Sequence, residues 1–118
     1  MFRYCGFVWD ADNSAAGDTA GHLAERLQAS CTDWQFALRR PGLAVLYTGS
    51  RSPNRSYELE GNTGVVLGKL FARSSNGDST AAPTIFGPQE TAKILTTRGR
   101  HLMQSYWGRY VAFLHETE

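Results

Sequence analysis

The sequence has few of the features that would mark a specialised environment. It contains only two cysteines, Cys5 and Cys31, which excludes a disulfide framework. No apolar run approaches the about 20 residues that a membrane-spanning helix needs, and the first residues lack the apolar segment of a signal peptide. These absences predict a cytoplasmic protein with reduced thiols and no membrane contact.

A strong net charge is also missing. The 12 basic and 11 acidic residues leave a formal charge of +1, and Arg39-Arg40 is the only adjacent pair of arginines. Since no global field attracts polyanions, we expect no nucleic-acid partner. The three histidines and two cysteines show no metal-ligand spacing, which predicts no zinc site. His22 is expected to be solvated on a helix surface, and His101 to lack a charged partner.

The chain does contain one domain's length of patterned sequence, with 42% hydrophobic residues. Alternating or continuous apolar runs predict five strands. One of these runs, GVVLGKLFA, is apolar enough to be buried on both faces. Pro41-Gly42 predicts the turn of a hairpin between the second and third of them. The predicted strands are 2–9, 34–40, 43–49, 64–72 and 109–116.

Helical spacing of apolar residues predicts three helices, the first with Asp18 as its N-cap and the second with Pro88 in its first turn. The predicted helices are 19–29, 88–98 and 98–107, and the predicted loops are 10–18, 50–56 and 73–83. The resulting order, β-α-β-β-β-α-α-β, predicts an α+β fold of layered antiparallel sheets with helices outside.

The C-terminal third of the chain carries a family resemblance. In QETAKILTTRGRHLMQSYWGRYVAFLHE, two helical segments lead into a Gly-aromatic-Ala-Phe strand. This order resembles the glutamine amidotransferase domain of asparagine-synthetase-type proteins, where "LLxLYxxYG" precedes "FLxxLxGxFAFxLWD". GVVLGKLFARSSNG is similar to the family strand ending "NGEIYN", and Cys5-Gly6 falls where the family has "CGI". YWGRYVAFL in particular resembles the related cyclases that close lasso-peptide macrolactam rings.

The resemblance implies an αββα N-terminal-nucleophile-hydrolase-like sandwich, incomplete here because family domains continue through further strands. Residues 1–118 would then be an amidotransferase-like domain, either the N-terminal part of a longer protein or a shortened relative. The family's synthetase half adenylates a carboxylate with ATP and forms an amide. Because this chain lacks the "SGGxDS" pyrophosphate loop, ATP and magnesium are expected only in a synthetase partner domain. The expected partner is that domain or a second copy of the chain, because a fragment would leave strand edges and the faces of GVVLGKLF unpaired.

An active family member uses an N-terminal cysteine that attacks the glutamine amide, with its own α-amine as base. Four residues precede Cys5 here, and its peptide nitrogen cannot accept the proton. The family's oxyanion-hole Asn-Gly matches Leu67-Gly68, where Leu67 offers no side-chain donor. Loss of one such donor costs about 10²–10³ in rate.

The family's aspartate that holds the glutamine amino group matches Trp107, whose indole N–H can only donate. Arg109 nearby would repel an ammonium. Gly68, Trp107 and Arg109 thus match the family's glutamine site in an altered form. The resemblance therefore implies a non-catalytic scaffold for an enzyme that makes asparagine or a peptide macrolactam, with Cys5 as a buried strand residue.

Two alternatives stay open from the sequence. In the first, removal of a leader exposes Cys5 as the N-terminal nucleophile of an active glutaminase. In the second, the chain is a small binding module that uses Trp9, Trp34, Tyr106 and Trp107. A concave cluster of these four rings would favour the binding module, and dispersed rings would disfavour it.

Overall fold

The computed structural model describes residues 2–30, 33–49, 54–73, 79–82 and 84–115, so Cys31 lies outside it. The chain divides into two compact units, Met1–Ser50 and Arg51–Glu118, and each contains its own antiparallel sheet. The α+β class predicted from the order of elements is confirmed. Within the described ranges, no helix is long and apolar enough to cross a bilayer.

The first unit consists of a three-stranded sheet and one long helix. Its elements are β1 (Arg3–Val8), α1 (Ser14–Ser30), β2 (Gln35–Arg40) and β3 (Leu43–Thr48). The strand order is β1-β3-β2, so β3 is central and most of its side chains are buried. The predicted hairpin at Pro41-Gly42 is confirmed, and Gly42 adopts φ +88°, as the second central residue of such a turn requires.

α1 begins earlier than the predicted residue 19. Its cap is Asn13, whose side-chain Oδ1 accepts a hydrogen bond from the Ala16 N–H at 3.1 Å. The predicted N-cap, Asp18, instead lies exposed within the helix. Asn is among the best N-cap residues and alanine is the strongest helix former, so the AA pair after Ser14 extends the helix into the predicted loop.

The second unit is organised around one long strand. Its elements are β4 (Arg55–Glu58), β5 (Gly64–Arg73), β6 (Ser79–Ala81), α2 (Pro88–Thr96), α3 (Arg100–Ser105) and β7 (Tyr106–Leu114). One edge of β5 pairs with β7 along almost the whole length of β5. The other edge of β5 pairs first with β4 and then, further along the strand, with β6. The sheet is therefore three strands wide, although four strands build it.

The central position of β5 explains its composition. Val65, Val66 and Leu67 are at most 1% exposed, which confirms a strand buried on both faces. Because most side chains of β5 are buried, the expectation that the faces of GVVLGKLF are left uncovered is wrong within the described structure. The two short strands β4 and β6 were not predicted, because their polar residues read as the loops 50–56 and 73–83. Of those loops, residues 50–53, 74–78 and 83 lie outside the described residues.

α2 and α3 close one face of this sheet. Ile94 and Leu102 from the two helices are buried with Phe86, Val66 and Leu70 in one hydrophobic core. Pro88 begins α2 as predicted. Between the helices, Gly99 adopts φ +87° and its N–H donates to the Ile94 carbonyl at 2.8 Å, a left-handed ending that glycine favours.

The boundary between α3 and β7 differs from the prediction. The second of the two adjoining helices was expected to run to residue 107, but it ends at Ser105, and β7 begins at Tyr106 rather than Arg109. The aromatic residues at this point have high strand propensity, and Trp107 pairs with Phe71 of β5. Pairing with β5 therefore overrides the helical spacing.

Candidate functional site

Cys5 lies in the middle of β1, in the first unit. It is opposite Leu46 of β3 and packs against the cluster of Ala24, Trp34 and Leu46. Its side chain is half-buried rather than buried as predicted, because β1 is an edge strand of its sheet. The depression beside it is lined mainly by apolar residues, Phe7, Leu23 and Leu27, with Arg26 and Ser30.

The backbone around Cys5 leaves no amine at its nitrogen. β1 pairs with β3 continuously from Arg3 to Val8, so the Cys5 nitrogen is a peptide nitrogen within a strand. A peptide nitrogen has no basic lone pair, and the five other residues lining the depression supply neither a carboxylate nor an imidazole. While the residues before Cys5 remain attached, its thiol therefore lacks the base that an N-terminal nucleophile uses.

Gly68 occupies the centre of the second unit's sheet. It pairs with Arg55 on β4 and with Tyr110 on β7, and it adopts φ +125°. A Cβ at this position would overlap the carbonyl oxygen of Arg109. The close approach of β7 thus explains the glycine. The N–H of a central-strand residue points in the plane of the sheet towards a neighbouring strand, not into an open site.

Trp107 and Arg109 lie on β7, close to Gly68. Trp107 stacks on Phe71 with ring centroids 4.7 Å apart and remains 42% exposed. Arg109 pairs directly with Lys69 across the strands. The structure thus brings the three positions that match the family's glutamine site onto the adjacent strands β5 and β7, but not onto one face of the sheet. Gly68 pairs with Tyr110 on the face that packs against the helices, whereas Trp107 and Arg109 lie with Phe71 and Lys69 on the opposite face. The two cations there repel an ammonium rather than hold it.

The four aromatic residues of the binding-module alternative lie in different environments. Trp34 is buried in the core of the first unit, and Tyr106 is buried in the core of the second. Trp107 is exposed on the strand that Tyr106 begins. Because Trp34 and Tyr106 are each buried in the core of their own unit, they cannot line an open site, which disfavours a single site built from the four rings.

A polar cluster in the second unit was missed by the sequence reasoning. Glu90 of α2 accepts a hydrogen bond from the Tyr106 hydroxyl at 2.8 Å, and its Oε2 lies 3.0 Å from His101 Nε2. Ser105 Oγ lies 3.4 Å from His101 Nδ1, and Lys93 Nζ lies 3.8 Å from Glu90 Oε1. His101 therefore has a charged partner, contrary to the prediction, whereas His22 is solvated as predicted, with its side chain 79% exposed.

The electrostatics of this cluster keep Glu90 ionised. Burial alone would raise the pKa of the Glu90 carboxyl. The hydrogen bonds from Tyr106 and His101 and the nearby cations lower this pKa, and their combined effect is larger than that of burial, so the net shift is downward. Burial, with the adjacent Glu90 carboxylate, raises the pKa of the Tyr106 hydroxyl. Because an ionised carboxylate only accepts hydrogen bonds, His101 carries a hydrogen on Nε2.

The Ser105–His101–Glu90 order resembles that of a nucleophile, a base and an orienting carboxylate. Three features favour a structural role. Glu90 is shared with Tyr106, which is buried in the core. Ser105 and His101 are one turn apart on the same short helix, as in ordinary (i, i+4) pairs. The Ser105–His101 distance is at the long limit for such a contact. The cluster ties α2 to α3 and to the start of β7.

Among the residues with described positions, no three His, Cys, Asp or Glu side chains are grouped so that they could hold a metal ion. No protein-family model matches the chain, and no curated protein or solved structure is significantly similar to it.

Proposed function

We propose that this chain is a non-catalytic, amidotransferase-like scaffold domain of an asparagine-synthetase-type enzyme that forms amides with ATP. The product would be asparagine or a peptide macrolactam. The observation that carries the proposal is the position of Cys5 inside β1, where the residues before it and after it along the chain also pair with β3. An enzyme that receives its amine from a peptide has no use for ammonia from glutamine, so loss of the glutaminase site would be harmless to it.

The matching glutamine-site positions also support the absence of glutaminase activity. Gly68 is explained by the close approach of β7, and Trp107 and Arg109 lie on the opposite face of the sheet, so the three positions do not surround one ligand. A glutamine held beside Trp107 would bring its ammonium next to Arg109 and Lys69. The loss of recognition adds to the loss of the base at Cys5, and the two losses concern separate steps of the reaction.

A partner is supported by the outer edge of β7. Within the described residues β5 is the strand neighbour of this nine-residue strand, so β7 forms one edge of the second unit's sheet. An edge strand is a place where another chain can add to a sheet. The partner would be a synthetase domain, or a second copy of the chain. ATP and magnesium would bind in the synthetase domain, and we propose a cytoplasmic location.

The proposal is tested by measuring glutamate release from glutamine by the purified chain, alone and mixed with the synthetase domain of an asparagine-synthetase-type enzyme. We expect release at the background level in both cases, unchanged in the matched variant Cys5→Ala. Co-elution of the two proteins in size-exclusion chromatography is expected as well. Glutamate release that Cys5→Ala abolishes would instead establish the glutaminase alternative, and self-association without co-elution would identify the partner as a second copy.

A further inference from the structure

The first unit contains a cleft between α1 and the sheet, and Cys5 is not among the residues that line it. Its volume is about 580 Å³, within the roughly 300–1,000 Å³ of small-molecule sites. The lining combines two aromatic rings, Trp9 and Phe36, with two arginines, Arg39 and Arg40. A solvated gap between a helix and a sheet needs no such combination.

The cleft exists because the facing side chains are small. α1 contributes Ala20, Gly21 and Ala24, and β3 contributes Ala44 from the sheet. Small residues usually allow a helix to pack closely on a sheet, but here Trp9 occupies one end. Its indole nitrogen lies 3.2 Å from the position that a Cβ on Gly17 would take. Trp9 therefore acts as an end wall, and Gly17 leaves the space for it.

The charges around the cleft select its ligand. Arg39 pairs with Ala44, and its guanidinium lies 4.9 Å from the centre of the Phe36 ring. Arg40 also lines the cleft, and Glu25 is the acidic residue of the lining, so the lining residues together carry one net positive charge. A guanidinium is planar and can bind a carboxylate with two parallel hydrogen bonds.

We propose that this cleft binds a small organic carboxylate with an aromatic or other apolar body. The carboxylate would lie at the arginines of β2, and the apolar body would lie between Trp9 and the alanines of α1 and β3. This site does not depend on the proposed scaffold function, because none of its residues belongs to the positions matched to the glutamine site.

The glycine at position 21 offers a direct test. A Cβ added at Gly21 meets no atom within 4 Å, so a larger side chain there enters the cleft without displacing the fold. Gly21→Leu should block the site while retaining the helix, since leucine is the better helix former. Ala29→Leu is the matched control, because Ala29 is exposed on the same helix and does not line the cleft.

Ligand-observed NMR and calorimetry would use benzoate, phenylacetate and indole-3-acetate as probes, with the corresponding amides as neutral isosteres. We expect saturable binding of at least one carboxylate in the micromolar to millimolar range and none of its amide. Gly21→Leu should abolish this binding, Ala29→Leu should retain it, and Arg39→Gln should weaken it by about 10- to 100-fold through loss of a charged hydrogen bond. Thermal melts of each variant establish that it is folded.

The proposal is overturned if none of the three carboxylates binds the native chain. It is also overturned if Gly21→Leu leaves the affinity unchanged, since the ligand then binds elsewhere. Equal binding of a carboxylate and its amide would overturn the assignment of the arginines as the carboxylate site.

Discussion

In the first unit, α1 presents alanine and glycine towards its sheet and leaves a cleft, whereas in the second unit α2 and α3 bury Ile94 and Leu102 in a continuous core. The second unit also has a hydrogen-bonded cluster that joins both helices to a strand. The two units thus differ in how their helices pack on their sheets. The second unit has a continuous core, and the first unit has an accessible cleft. Stability is expected to depend mainly on the second unit.

The largest expected effect comes from the core of the second unit. Phe86 is 1% exposed and makes an edge-to-face contact with Tyr106. Phe86→Ala should lower the free energy of unfolding by about 3–5 kcal/mol through lost burial and a residual cavity. The matched change in the first unit, Leu27→Ala at a half-buried position, should cost less than about 2 kcal/mol. Urea unfolding of both variants would measure this difference, and equal costs would contradict the contrast between the units.

Replacing a glycine by alanine should change the free energy of unfolding in opposite directions in the two units. Gly68→Ala places a Cβ against a backbone carbonyl at φ +125°, so we expect a destabilisation of about 1–3 kcal/mol or more. Gly21→Ala adds a methyl group to open space in a helix and should stabilise by about 0.5–1 kcal/mol. Thermal melts of the two variants measure both signs. Stabilisation by Gly68→Ala would show that β5 and β7 are not packed as described.

The polar cluster of the second unit should make stability depend on pH. The pKa of Glu90 is lowered from its ordinary 4.5, so its contribution is complete above pH 4.5 and is lost as the pH falls through the folded-state pKa. The pKa of Tyr106 is raised from 10.0, so its contribution is complete below pH 10 and is lost above it. Unfolding free energies measured across both ranges should decrease at each end.

Tyr106→Phe isolates this cluster. Removal of the hydroxyl should cost about 1 kcal/mol at neutral pH, because Glu90 keeps His101 and solvent as partners. It should also remove the Tyr106 contribution to the alkaline loss and reduce the loss at acidic pH. Glu90→Gln is the matched control, and it should remove the Glu90 contribution to the acidic loss. An unchanged acid profile in both variants would show that Glu90 does not couple the helices to β7.

The smallest effect is expected at Cys5. Its side chain is half-buried at a sheet edge, so Cys5→Ala should change stability by about 1 kcal/mol or less. Chemical unfolding gives this value. A cost far above that would mean that Cys5 is held by interactions beyond its packing against Trp34 and Leu46.

The sequence predicted the elements that have a strong apolar pattern, such as β5 and the β2–β3 hairpin. It did not reveal β4 and β6, because short edge strands carry polar residues that are typical of loops. Nor did it reveal the Glu90–His101 pair, since the two residues belong to different helices whose packing no local spacing defines. The cleft was equally hidden, because a row of small residues on α1 ordinarily indicates close packing.

The positions taken from the family resemblance show a related limit. Gly68 and Arg109 are far apart along the chain, and the structure brings them side by side through the pairing of β5 with β7. The sequence identified them by matching strands, but it could not show that the glycine is explained by the backbone of β7. That explanation depends on the distance between two strands, which a residue pattern does not contain.

The most direct test of the non-catalytic account is the intact mass of the purified chain before and after incubation with an electrophilic glutamine analogue. We expect an unchanged mass that retains the four residues before Cys5, with no adduct. A chain that begins at Cys5 and gains one stoichiometric adduct would contradict the account.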